Sequence, residues 1–185
     1  MTTLIIIAVV LVLLVLFVIA VYNALIRLRN QVDNAWSQID VQLKRRHDLI
    51  PNLVETARGY MKHERGTFEA ITKARSQAMG AKTVAESSKA EGALGEALSK
   101  FMLVVENYPD LKANQNFLSV QEELTGTENK ISFARQSYND QVLFFNNKIQ
   151  MFPSNIVANT FSFGKRDFFE LETAAEREVP KVSFA

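Results

Sequence analysis

The sequence contains no cysteine and only two histidines. The lack of cysteine excludes disulfides, thiolate metal sites, haem attachment through cysteine and cysteine nucleophiles. His63-Glu64 lacks a second histidine four residues further on, so there is no H-E-x-x-H zinc motif. A zinc site would need clustered His, Cys or carboxylate ligands. We therefore expect no metal site.

Charge of one sign is not in excess, because 21 basic and 20 acidic residues leave a formal net charge of +1. A nucleic-acid-binding protein would normally carry a clear basic excess, so we expect no nucleic-acid partner. The seven glycines are scattered and form neither a phosphate loop nor a dinucleotide fingerprint. No G-x-S-x-G motif is present either. These absences favour a protein that is not an enzyme and has no cofactor.

A long apolar run opens the chain. Leu4 to Val21 is unbroken, and no charged side chain occurs before Arg27. Eighteen or more consecutive apolar residues predict a transmembrane helix, and residues 4–26 would span about 34 Å. A cleaved signal peptide would have a basic N-terminal region and a shorter apolar core. A buried core helix is the other alternative, but an uncleaved anchor over residues 1–26 fits best.

The charges around this run predict its orientation. No Lys or Arg precedes it. The basic residues that follow it are Arg27, Arg29, Lys44, Arg45 and Arg46. The positive-inside rule then places the N-terminus outside and the body in the cytoplasm. We expect a cytoplasmic helical bundle over residues 27–160 and an aromatic, charged tail over residues 161–185.

The first helix should continue out of the membrane, because residues 4–50 contain neither Gly nor Pro. Beyond Asn23 the apolar residues recur every three or four positions, as on one face of a packed helix. They are Leu28, Val32, Trp36, Ile39, Leu43, Ile50, Leu53 or Val54, and Ala57. Pro51 lies inside this pattern and predicts a kink or a restart near residues 47–51.

Two more long helices are predicted, over about residues 84–108 and from residue 111 or 116 to 151. The second ends at Tyr108-Pro109, and the third carries apolar residues every seven positions and ends near Pro153. Residues 76–91, rich in Ala, Ser, Lys and Gly, are interpreted as a loop. Only residues 159–164 suggest strand-like alternation. The predicted fold class is all-α: a transmembrane helix that continues into an antiparallel bundle of three long helices, with short C-terminal helical pieces.

Polar residues interrupt two of these apolar faces. In the third helix they lie seven residues apart, at Gln121, Glu128 and Arg135; in the first they are Arg45, Arg46, His47 and Asp48. Since half-buried charges need partners, we expect the two interruptions to face each other.

Two pairings follow from this arrangement. Glu128 should pair with Arg45 or Arg46, and Arg135 with Asp48. Such a polar layer would fix the register of the bundle more than its stability. The alternatives are an active site built of carboxylate, guanidinium and imidazole, or solvated charges that never meet.

Four phenylalanines lie within nine residues near the C-terminus: Phe161, Phe163, Phe168 and Phe169. This density exceeds that of a disordered tail. The rings could close the end of the core, or contact a second subunit. Contact with the membrane is a third possibility, because Phe and Lys/Arg suit an interface. Residues 170–180 read as a short solvated helix.

An ordered series of motifs resembles the LemA family of bacterial membrane proteins. The longest are AWSQIDVQLKRR (35–46), DLIPNLV (48–54), YPDLKA (108–113), QEEL (121–124) and TENKI (127–131). Shorter ones are Tyr22-Asn23, Gly59-Tyr60, His63-Glu64, Ala74-Arg75, Asn116-Phe117, Ala134-Arg135 and Tyr138-Asn139. The resemblance implies an anchor in the bacterial inner membrane and a cytoplasmic antiparallel bundle. It implies no reaction, cofactor or catalytic residue.

The function predicted from these features is a membrane-anchored, self-assembling helical scaffold that organises inner-membrane proteins or membrane shape. Its expected partners are the lipid bilayer, further copies of the chain and other membrane proteins. One alternative is a cytoplasmic-face adaptor for a membrane protease or signalling protein. Another is a hydrolase that uses His47, Glu128 and Arg135.

Overall fold

The computed structural model describes residues 1–170. Its helices are α1 (Thr2–Arg58), α2 (Arg65–Gly80), α3 (Val84–Val105), α4 (Pro109–Lys112), α5 (Gln115–Gln150) and α6 (Ser154–Thr160). No strand occurs within residues 1–170, including residues 159–164. The all-helical prediction is thus confirmed for this part of the chain, whereas the helix predicted at residues 170–180 lies almost wholly outside it.

The chain divides into two compact units. The first, called the N-terminal unit here, joins residues 1–40 to residues 133–168. The second, called the central unit, contains residues 41–132 together with Phe169 and Glu170. The predicted boundaries at residues 26 and 160 stay predictions, because a division by packing does not locate the end of a membrane anchor or the start of a tail.

α1 does not restart at its proline. The helix continues through Pro51 to Arg58, so the restart given as one alternative near residues 47–51 is wrong, and the kink given as the other stays a prediction. The break comes instead at residues 59–64, which begin with Gly59. Glycine is a poor helix former. The N–H groups of Tyr60 and Met61 both donate to the carbonyl of Ala57 as the helix ends.

The loop predicted at residues 76–91 is also wrong. α2 continues to Gly80 and α3 begins at Val84, so only three residues separate them. Alanine is the best helix former, and the buried Ala74 and Ala78 allow α2 to pack closely.

A capping box starts α3. The Thr83 hydroxyl accepts the N–H of Glu86 at 3.2 Å, and the Glu86 carboxylate accepts the N–H groups of Lys82 and Thr83. These backbone hydrogen bonds lower the pKa of Glu86. The T-x-x-E spacing is a sequence signature of a helix start.

The central unit has one hydrophobic core to which α1, α2, α3, α4 and α5 all contribute. Its fully buried large side chains include Leu53, Met61, Ile71, Leu94, Phe101, Leu111 and Phe117. The Phe101 ring lies 6.1 Å from that of Phe68 and 6.3 Å from that of Phe117, measured between centroids. This core holds the α1 segment that carries the predicted polar residues.

The N-terminal unit packs α1 against α5 and α6. Trp36 of α1 meets Tyr138 of α5 with a centroid distance of 5.6 Å. The buried apolar residues are Val21, Leu25, Val32, Ala35 and Ile39 on α1, Val142, Phe145 and Ile149 on α5, and Val157 and Ala158 on α6. Just after α6, Ser162 takes the left-handed conformation (φ 56°), and the Phe163 N–H donates back to the Ala158 carbonyl.

The first part of α1 stands free of the rest of the described chain. Its large apolar side chains from Leu4 to Phe17 are each at least 44% exposed. The most apolar 18-residue window of this helix has a mean hydropathy of 3.8, and none of it is buried. The helix is therefore long and apolar enough to cross a membrane, and it is not a buried core helix of this chain.

Candidate functional site

The central unit contains a group of ionisable side chains, which we call the ion cluster: Arg46 and His47 of α1, Glu91 of α3, and Glu128 of α5. Three of the four are almost inaccessible, since the side chains of Arg46, His47 and Glu91 are 9%, 9% and 3% exposed. Glu128 lies at the edge with 47% of its side chain exposed. Charges this deeply buried are stable only when they are paired and hydrogen-bonded.

Glu91 is the centre of the ion cluster. Its Oε1 lies 2.6 Å from Nε2 of His47, and its Oε2 accepts a hydrogen bond of 3.2 Å from Nη1 of Arg46. The same Arg46 nitrogen lies 3.1 Å from Oε2 of Glu128. Both Glu91 oxygens are used within the cluster, and Arg46 connects two carboxylates.

Arg75 of α2 bonds to the backbone of the ion cluster. A proline at position 51 has no N–H, so the carbonyl four residues earlier, that of His47, lacks its helical partner. The Nε of Arg75 donates to this carbonyl at 2.7 Å. α1 can therefore continue through Pro51 without leaving a buried acceptor unpaired.

The predicted polar residues are only partly brought together. Arg46 contacts Glu128, one of the two pairings expected for that carboxylate. Arg45 lies instead 3.7 Å from Glu123, and both side chains are about half exposed. Asp48 is exposed and lies in the central unit, whereas Arg135 is half-buried and lies in the N-terminal unit. Their pairing stays a prediction.

Sequence reasoning missed two members of this site, Glu91 and Arg75. Glu91 falls in the predicted loop, although it precedes Leu94, Leu98 and Phe101 at the same spacing of three and four residues. That spacing is the signal that a charge lies on the buried face of α3. For Arg75 there is no such signal, because its partner is a backbone carbonyl on another helix.

A second group of side chains, the aromatic cluster, lies in the N-terminal unit. Phe163 is its centre: its ring centroid lies 5.8 Å from that of Tyr22 and 6.4 Å from that of Phe145. The guanidinium carbon of Arg29 lies 5.8 Å above the Phe163 ring, a cation–π contact. Tyr22 also packs on Phe161, with centroids 4.8 Å apart.

The chain after the aromatic cluster returns along α5. Asn146 and Arg166 exchange two hydrogen bonds of 2.9 Å between the amide side chain and the backbone. The Tyr138 hydroxyl donates to the Asp167 carbonyl at 2.9 Å, and Arg166 also pairs with Asp33 at 2.7 Å. Burial, more than the nearby Asp167 and Asp33 carboxylates, raises the pKa of Tyr138, while Arg166 opposes the shift. Residues 161–168 are thus part of the folded unit.

The four predicted contact phenylalanines have different surroundings. Phe163 is half-buried in the aromatic cluster, and Phe169 is only 1% exposed, so it has no surface left for a membrane or a second subunit. The rings of Phe161 and Phe168 are 50% and 37% exposed. An external contact stays a prediction for these two.

The side chains of the ion cluster are paired with one another. Its described hydrogen bonds join cluster members to one another or to the backbone. Among residues 1–170, no group of three His, Cys, Asp or Glu side chains could hold a metal ion. The geometry supports a role in fixing how α1, α2, α3 and α5 pack.

Comparison with known proteins gives a family and several relatives. Protein LemA of Metamycoplasma hominis is 29% identical over 86% of this chain and 71% of its own length. Magnetosome protein MamQ 2 of Paramagnetospirillum magneticum and magnetosome protein MamQ of Magnetospirillum gryphiswaldense are 22% and 21% identical, each over 85% of this chain and 68% of its own length. The model of the LemA family matches residues 35–184, which include the ion cluster and most of the aromatic cluster. The chain belongs to the LemA family.

Proposed function

We propose that this protein is a membrane-anchored, self-assembling helical scaffold that organises inner-membrane proteins or membrane shape and has no catalytic activity. One observation carries the proposal: the apolar residues of α1 from Leu4 to Phe17 are exposed, while the same helix continues into a folded body. Lipid is the solvent that would accept so much continuous apolar surface. Family membership and relatives named as magnetosome proteins support association with a membrane.

The anchor crosses the inner membrane once, with the N-terminus outside and the body in the cytoplasm. Arg27 and Arg29 follow the apolar run, and no basic side chain precedes it. A helix has no unpaired backbone groups along its length, which suits it to lipid.

Behind the anchor, α5 runs antiparallel to α1 in the N-terminal unit. Two contacts support this direction: Trp36 packs on Tyr138, and Phe163 links the later Phe145 of α5 to the earlier Arg29 of α1. Because α1 contains both the anchor and the segment that packs on α5, the anchor is joined directly to the folded part of this unit.

Self-assembly would use an apolar face of α5. Phe133 and Phe144 are 73% and 57% exposed. Their separation along the chain brings them to within about 20° of each other around the helix. Exposed aromatic side chains are typical of protein interfaces. Because all copies are confined to one membrane, weak contacts through this face would add up.

The absence of catalysis is proposed from the ion cluster. Glu91, the most buried titratable group there, is engaged through both oxygens with Arg46 and His47. Its side chain is only 3% exposed, so a substrate has almost no access to this carboxylate.

The anchor is tested by alkaline carbonate extraction of membranes that contain the full-length protein. We expect the protein to stay in the pellet. Release into the supernatant, or recovery of mature protein that lacks residues 1–26, would contradict the proposal.

Self-assembly is tested by measuring particle mass in mild detergent for the protein and for the double variant Phe133→Ser/Phe144→Ser. We expect the unaltered chain to form oligomers and the variant to shift towards monomer. Leu103→Ser is the matched control, because Leu103 is 71% exposed on α3 and should leave the mass unchanged. A strictly monomeric unaltered chain, with in-cell crosslinks only to another protein, would favour the adaptor instead.

A further inference from the structure

Four large apolar side chains are exposed in the turn between α5 and α6, on α6 and directly after it. Met151, Phe152, Ile156 and Phe161 are 61%, 79%, 58% and 50% exposed, and we call them the corner patch. Exposed apolar groups that lie together, rather than singly, mark a contact with a partner or a membrane. The position of the patch along the helices and the residues around it indicate what covers it.

The corner patch lies level with the point where the apolar run of α1 ends. Tyr22 comes directly after Val21, the last residue of the run, and its ring packs on Phe161 at 4.8 Å. The second indication is the register set by Trp36 and Tyr138. Tyr22 precedes Trp36 by as many positions as Phe152 follows Tyr138. Tyr22 is about 21 Å from Trp36 along α1, and Gln150, the last residue of α5, is about 18 Å from Tyr138, so the end of α5 and the adjoining Phe152 lie near the height of Tyr22.

The sequence around the corner patch contains no charge. No Asp, Glu, Lys or Arg occurs between Lys148 and Lys165, although charged residues make up 22% of the chain. The charges resume on both sides, at Lys148 and at Lys165-Arg166. Apolar and aromatic residues flanked by basic ones are typical of segments that lie in the interfacial layer of a bilayer.

We propose that the corner patch is a second lipid contact of this protein, inserted into the interfacial layer of the membrane that the anchor crosses. The proposal rests on the proposed anchor, because Tyr22 marks the membrane surface only if residues 4–21 lie in lipid. A second copy of the chain is the competing occupant. Lipid is favoured because a patch level with Tyr22 must lie among the headgroups, where burying Phe152 and Ile156 removes their apolar surface from water.

The contact would fix the orientation of the N-terminal unit. A single transmembrane helix can rotate about its axis and tilt, and neighbouring interfacial residues limit both motions. Tyr22 on α1 and the corner patch, which lies on α6 and the chain either side of it, provide two such points. The unit would then present one defined side, with Phe133 and Phe144, to its neighbours in the membrane plane.

The test uses the absence of cysteine, because any introduced cysteine can be labelled selectively. The full-length variants Phe152→Cys and Ile156→Cys carry an environment-sensitive fluorophore in vesicles of phosphatidylethanolamine and phosphatidylglycerol. Leu11→Cys reports on the anchor. Val41→Cys is the matched control, since Val41 is about as exposed as Ile156, lies outside the face proposed for self-assembly and is about 28 Å beyond Tyr22 along α1. Circular dichroism checks that each labelled variant keeps its helical content.

A nitroxide carried near the lipid headgroups should quench the labels at 152 and 156 several-fold more than the label at 41. Aqueous iodide should show the opposite order. The corner patch is disproved, with the anchor intact, if a nitroxide placed deeper in the acyl chains quenches the label at residue 11 but the labels at residues 152 and 156 respond like the label at residue 41. Protection of residues 152 and 156 from both quenchers would also disprove it and indicate a second copy. If residue 11 is not quenched by lipid, the anchor itself is wrong.

Discussion

The two units of this protein fix the packing of their helices by different means. The central unit buries ionisable side chains, since Arg46, His47 and Glu91 are all buried. The N-terminal unit buries rings as the central core does, but its buried Asn146 and Tyr138 bond to the backbone of the returning chain. The central unit thus adds a buried ion cluster to its apolar core, whereas the N-terminal unit adds neutral hydrogen bonds to the backbone.

The difference indicates which unit is more sensitive to the loss of one side chain. A buried ion pair contributes little net stability, but removing one partner leaves the other charge buried and unpaired. A neutral hydrogen bond costs less to lose, because its loss leaves no charge buried without a partner. The central unit should therefore respond more sharply to single substitutions.

The largest expected effect is that of Glu91→Ala. The substitution leaves Arg46 and His47 buried without their shared partner, and it should lower the free energy of unfolding by about 3–5 kcal/mol. Urea unfolding of the full-length protein in detergent, followed by circular dichroism, measures this. The exposed pair of Arg45 and Glu123 supplies the control. Glu123→Ala should cost at most about 1 kcal/mol, and equal losses for the two variants would contradict a special role for the ion cluster.

Much of the fold could be predicted from the sequence. The apolar run, the stripes on α3 and α5 and the proline-marked ends predict helices close to those observed. The missed helix, α2, has an apolar face built of Ala74 and Ala78 beside Phe68 and Ile71. Small residues such as Ala74 and Ala78 can lie on a buried face because they let helices pack closely. In a sequence, however, they resemble the composition of a loop.

The candidate site was harder to predict than the fold. The pattern identifies charges on the buried face of two helices, and Arg46 does contact Glu128. It could not identify Glu91 as the shared partner, because which helices meet at a given height depends on tertiary packing. The role of Arg75 also depends on packing, since its partner is the His47 carbonyl left unpaired by Pro51.

The next largest effect is that of Arg75→Ala, which removes the donor to the His47 carbonyl. A hydrogen bond from a charged group is worth about 1.5–3 kcal/mol, and we expect a loss of that size. In a Pro51→Ala background the loss should be smaller, because the new N–H at position 51 can bond to His47 itself. A double-mutant cycle measures the difference as a coupling energy. Losses that simply add would show that Arg75 acts independently of the proline.

A smaller effect is expected in the N-terminal unit from Asn146→Ala. It removes two neutral hydrogen bonds to Arg166, at a cost of about 1–2 kcal/mol. Hydrogen exchange should accelerate at the Arg166 amide and much less at the amides of α3. Asn147→Ala, at an exposed position of the same helix, is the control and should change neither quantity. A loss as large as that of Glu91→Ala would contradict the contrast between the two units.

The smallest effect concerns Glu86, which is exposed and lies outside the ion cluster. Backbone N–H groups of Lys82 and Thr83 lower the pKa of this carboxyl in the folded state. Since the folded pKa is below the unfolded one of about 4.3, its contribution is complete above that pH and is lost as the pH falls through the folded pKa.

The difference in unfolding free energy between the protein and Glu86→Gln should therefore be largest near neutral pH and shrink in acid. Glutamine can accept the same hydrogen bonds, so this pair of proteins isolates the effect of the charge. A difference that stays constant from neutral to acid pH would mean that the carboxylate's charge does not stabilise the start of α3.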